Sequence, residues 1–152
     1  RRCSQKFLDQ NLKLPRLTAS LDLVVAQLAS VEDEASTLHG LYGRVKTRAG
    51  QADPNAAVPV DRVLGNLATV IGDIGAASGH YRAAIALCER AGYRPQLAMT
   101  LFDQATLHAG NQDPNDLVAA NQDFNKSLAL AHDLGMKPLI ERILRRRQIL
   151  TA

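Results

Sequence analysis

GDIGAASGHYRAAIALCERAGYRPQLAMTL, residues 72–101, and NDLVAANQDFNKSLALAHDLGMKPLIERIL, residues 115–144, are one pattern written twice. At an offset of 43 residues, eight positions are identical: Asp73/Asp116, Ala76/Ala119, Ala77/Ala120, Ala86/Ala129, Leu87/Leu130, Gly92/Gly135, Pro95/Pro138 and Leu101/Leu144. Tyr81/Phe124 and Ile85/Leu128 match in kind. In the first copy Ile74, Ala77, Tyr81, Ala84, Ile85 and Cys88 recur at three- and four-residue steps, the period of one helical face. Asp73 stands where a helix cap belongs, Gly92 where a helix stops, and Pro95 three residues later starts the next. A 43-residue repeat of this kind marks a stacked helical array.

The same punctuation extends outward. Leu21, Val24, Val25, Leu28 and Val31 predict a helix over about 18–31, after a short segment closed by Pro15. Leu38, Leu41, Tyr42 and Val45 predict another over 34–49, followed by a loop through Val58. From Pro59, a helix carries Val60, Val63, Leu64, Leu67, Ala68 and Ile71 on one face and ends at Gly72. Helices over 96–109 and 116–134 follow, and Pro138 opens a last one with Leu139, Ile140, Ile143 and Leu144. The expected fold is all-α, seven or eight helices in antiparallel hairpins with a right-handed stack. The expected divisions of the single module 1–152 are divergent helices over 1–58, repeats over 59–94 and 95–137, and a capping helix over 138–152.

Composition supports this class. Hydrophobic residues make up 46% of the 152, and Ala and Leu, 23 and 22 residues, outweigh the β-branched and aromatic types that sheets favour. No apolar run approaches the roughly 20 residues needed to cross a bilayer, and the polar start at Arg1-Arg2-Cys3 does not resemble a secretory leader. The first residue is not Met, so a fragment of a larger protein is expected, in the reducing cytoplasm that two cysteines suggest. The net charge of +3 is uneven: residues 1–16 and 137–152 each carry an excess of +4, and the middle is acidic.

The residues around Leu64-Gly65, Ala68, Ala77, Tyr81 and Ala84, and again Ala120, Phe124 and Ser127, resemble a tetratricopeptide repeat. Asp61 stands where that pattern has its Trp, and the terminal Pro is displaced. With the stretches 86–98, 129–142 and 145–150, residues 60–150 resemble the C-terminal helical-repeat region of bacterial multidomain signalling proteins. These are the ATPase-linked LuxR-type and adenylate-cyclase-associated regulators, related to the maltose-operon activator. The resemblance implies a tetratricopeptide-like α-solenoid in which Tyr81 and Phe124 fill gaps between units and Gly65 and Ala68 receive a ring. It also implies a concave groove lined by the first helix of each pair. Arg62, Asn66 and Thr69 would lie there in one unit and Thr100, Gln104 and His108 in the next. Arg44 and Arg48 would extend the strip through a weaker match at an offset of 60. Removing these side chains is expected to leave stability nearly unchanged, since exposed substitutions stay within about ±0.5 kcal/mol.

No catalytic motif is present. Gly72 through Gly79 lacks the Lys-Ser/Thr of a phosphate loop, and no two of His39, His80, His108 and His132 are spaced to share a metal on one helix. Cys88 reads as packing, and Asp113-Pro114-Asn115-Asp116 as a turn and cap. The run Arg142, Arg145, Arg146, Arg147 reads first as the solvated face of the last helix. The expected function is a non-catalytic module, without cofactor, of a bacterial regulatory protein. Its partner would be a protein, a peptide or another domain of the same chain, with a small-molecule effector also open. Binding of nucleic acid through the Arg-rich ends is the alternative, disfavoured by the acidic middle.

Overall fold

The computed structural model describes residues 35–53, 58–111 and 113–151. Among them the chain is all-helical: α1 (Ala35–Lys46), α2 (Val60–Ile71), α3 (Ile74–Ala91), α4 (Arg94–Gly110), α5 (Pro114–Asp133) and α6 (Lys137–Thr151). The helix expected over 18–31, the segment before it and Cys3 lie outside the described residues, which hold six helices where the whole chain is expected to hold seven or eight. The only extended pairing in the described residues is a single antiparallel bridge, Ala52 with Pro59.

Local chemistry sets the helix ends. Gly72, Gly92 and Gly135 adopt φ of 90°, 69° and 65°, a region that costs a residue with a Cβ roughly 1–2 kcal/mol. At Gly72 and Gly92 the backbone N–H turns back onto the last carbonyls of α2 and α3. The Asp73 carboxylate accepts from Ala76 N and the Asp113 carboxylate from Asn115 N, so α3 and α5 both start on an aspartate cap. Pro59 sits just outside α2 rather than within it, with ψ of 126°; α1 stops three residues short of the expected Ala49, in a turn.

Each helix packs against the helix before and the helix after it, and α4 also touches both α2 and α6. From α2 to α6 the connections are only two or three residues long, which makes successive helices reverse direction. Leu38, Leu41 and Val45 of α1 meet Val60, Val63, Leu64 and Leu67 of α2 in one cluster. A larger one joins Ala98, Phe102, Ala105 and Ala109 of α4 to Ala120, Phe124 and Ala131 of α5 and to Leu139 and Ile143 of α6. The alanines let α4 and α5 approach closely, and Phe102 and Phe124 meet at 6.0 Å between ring centres. A small bridging cluster of Ala68, Ala77, Tyr81 and Leu107 lies between the two. Ser127, the repeat counterpart of Ala84, is wholly buried and donates its hydroxyl to the Ala98 carbonyl at 2.7 Å. Two residues expected on core faces are exposed: Ile74 (39%) at the start of α3 and Leu144 (45%) on α6. Ile74 occupies the first turn of its helix, at the edge of the open cavity it shares with Val70 of α2.

Candidate binding groove

The helices α2, α4 and α6 surround an open cavity of about 490 Å³. Its construction begins with Tyr81. The ring, only 2% exposed, stands against Gly65 of α2, where a Cβ would come within 2.5 Å of Cε1. The hydroxyl donates to Asn66 Oδ1 at 2.8 Å and lies 3.3 Å from the Thr69 hydroxyl. Burial pushes the phenol pKa well above its ordinary value, so it stays a donor, and this fixes Asn66 and Thr69 at the cavity wall.

Asp103 of α4 stands beside them. Arg62 Nε donates to its Oδ2 at 2.8 Å, with side-chain exposures of 13% and 14%, and Arg62 also reaches Gln96 Oε1 at 3.4 Å. From α6, the Arg142 guanidinium lies over the Phe102 ring at 4.7 Å, a cation–π arrangement. Arg146, one turn on, lines the same cavity, and its Nε is buried with no hydrogen-bond partner among the described residues. Val70 (48% exposed) and Ile74, with Leu107, supply apolar wall.

Burial raises the Asp103 carboxyl above its ordinary 3.8, against the opposing pull of Arg62 and Arg142. A carboxyl that holds its proton more tightly folded than unfolded makes stability fall as pH rises from about 3.8 through the folded value, with no slope above it. Burial shifts Asp123 the same way. Asp116 is lowered, chiefly by the hydrogen bond from Asn111, and its contribution is lost only below 3.8. Asp103→Asn is therefore expected to remove the part of the stability slope that begins near pH 3.8 and ends at the raised folded value, read by urea denaturation at stepped pH. An unchanged slope would mean that Asp103 titrates normally.

Of the eight residues singled out in the sequence, Asn66 and Thr69 line the cavity and Arg62 stands behind it, paired to Asp103. Thr100 is wholly buried and donates to Gln96 O. Gln104 opens onto a different recess of about 570 Å³ between α3, α4 and α5. His108 contacts Asp116 Oδ1 at 3.1 Å and Gln104 Nε2 at 3.4 Å and lines neither cavity. Arg44 is exposed on α1, and Arg48 lies 3.8 Å from Asp53. The structure thus brings Asn66 and Thr69 together with Asp103 and Thr106, and leaves Gln104 and His108 elsewhere. One residue is about 100° of helix rotation, so a register taken from the α2 repeat and carried to α4 one position off selects another face. Arg142 and Arg146 were legible as an i, i+4 pair on one face; nothing in the sequence said that this face turns inward.

A second polar cluster lies outside the cavity. Asp61, 3% exposed, accepts from Gly50 N and lies 2.8 Å from His80 Nδ1, while His80 Nε2 is 2.9 Å from the Tyr42 hydroxyl. Desolvation, with Asp73 and Asp61 nearby, raises the Tyr42 pKa. The row ties α1 to α2 and α3, and the phenol is made less acidic rather than activated. Burial likewise raises the Cys88 thiol. Among the described residues no three His, Cys, Asp or Glu side chains are grouped to hold a metal, and no helix is long and apolar enough to cross a membrane.

Comparison with protein-family models, with curated proteins and with solved structures gives no match.

Proposed function

We propose that the chain is a tetratricopeptide-like helical-repeat module of a regulatory protein of the bacterial multidomain type that it resembles. It would act without chemistry of its own, as an interaction surface for a protein segment or an effector, and the working face is the groove of α2, α4 and α6. One observation carries this reading: α4 touches α2 and α6 across the intervening helices, and these three alternate helices supply most of the cavity wall, with Ile74 and Tyr81 of α3 completing it. That is the arrangement in which stacked helical pairs present a continuous inner surface. The arginines of α6 favour this reading over a DNA surface. Arg142 lies on Phe102 and Arg147 donates to Asn125 Oδ1 at 3.1 Å, so two of the four are engaged with their own chain, and Arg146 lines the cavity.

A random-peptide display selection against the folded chain tests the assignment. Selected peptides are expected to shift backbone amide resonances of α2, α4 and α6 and to lose affinity in Asn66→Ala. Shifts confined to the outer faces of α3 and α5, or tighter retention of random duplex DNA than of any peptide, would overturn it.

A further inference from the structure

The cavity has a chemistry more specific than its position. Arg142 and Arg146 bring two positive charges to its wall, and the one acid there, Asp103, is already paired to Arg62 behind it. Arg146 Nε has given up its water and gained no partner, which leaves a donor waiting for an acceptor. Asn66 accepts the Tyr81 hydroxyl on its carbonyl oxygen, which leaves its amide N–H groups as donors. Beside these stand Val70, Ile74 and Leu107, two of them substantially exposed. A volume of about 490 Å³ is that of a small-molecule site.

We propose that this cavity binds a small organic carboxylate with an aliphatic arm, the carboxylate on Arg142 and Arg146 and the arm along Val70, Ile74 and Leu107. The guanidinium fork suits a planar carboxylate with two parallel hydrogen bonds. The proposal rests on the reading of the α2–α4–α6 face as the module's interaction surface and adds the ligand class.

The test is a titration of the folded chain followed by amide chemical shifts, with hexanoate as probe, hexanamide as its uncharged counterpart and inorganic phosphate as the competing anion. Hexanoate should give saturable shifts at Val70–Ile74 and at Arg142–Arg146, and hexanamide at least tenfold weaker ones. Arg146→Gln should weaken hexanoate binding to a similar degree. Val70→Glu, on an exposed position of α2, should do the same by placing a carboxylate at the wall, and it guards against misfolding of the Arg146 variant. Absence of saturable shifts, equal binding of hexanamide, or stronger binding of phosphate would overturn the proposal. If hexanoate fails while selected peptides still footprint on α2, α4 and α6, the ligand class falls and the interaction surface stands. If hexanoate binds and peptides do not, the cavity stands as an effector site and the peptide-docking role falls.

Discussion

Tyr81→Ala is expected to destabilise the fold by about 3–5 kcal/mol, the range for removing a buried aromatic ring. The ring is 2% exposed and belongs to the small cluster that joins the α1–α2 core to the α4–α5–α6 core. Its loss leaves a void that Ala68, Ala77 and Leu107 cannot close from fixed helices, and it strips Asn66 Oδ1 of its donor. The opposite error at the same contact is Gly65→Ala, whose Cβ would stand 2.5 Å from Tyr81 Cε1. Overpacking of that kind costs about 1–3 kcal/mol. The two changes share one space, so the double variant should lose clearly less than the sum of the singles. Urea denaturation of the four proteins measures this. Additive losses would mean that the ring does not fill the Gly65 notch.

Asp103→Ala should cost roughly 3 kcal/mol, because it leaves the Arg62 guanidinium, 13% exposed, without its carboxylate. Arg62→Ala should cost a comparable amount by stranding Asp103. Replacing both with leucine should recover most of the loss, since a nearly enclosed ion pair often gives little net stability over apolar residues of similar size. Thermal melts of the two single variants and the double one separate these outcomes. A neutral Arg62→Ala would return that residue to the solvated groove that the sequence suggested. The structure changes the expectation because Arg62 is a cross-helix partner, with its charge already answered from α4.

The parts of the fold legible in the sequence were those written in one-dimensional spacing. Gly72, Gly92 and Gly135 end helices because positive φ is required there, and that demand is local. Ala77, Tyr81, Ala84 and Cys88 share a buried face because a helix repeats every 3.6 residues. The seat of Tyr81 on Gly65 followed from the repeat pattern, which pairs a small residue with a ring. The cavity was harder. Asp103 and Arg62 are 41 residues apart, and no periodicity announces that a charge on one helix answers a charge on another. The same holds for Asp61, His80 and Tyr42, brought together from three helices. Thr100 and Gln104 were placed by repeat alignment, and a register difference of one residue, about 100° around α4, sends them to other surroundings.

The neighbour-to-neighbour packing of the six helices has a kinetic consequence. Contacts between helices adjacent in sequence close short loops, and chains dominated by such contacts fold in roughly microseconds to milliseconds. Ribosomes extend a chain by about 5–20 residues per second. Each helical hairpin therefore has ample time to form before the next helix has emerged. Tyr81 can be seated against Gly65 before α4 has emerged, and the described helices can assemble from the N-terminal side in the order in which they are read.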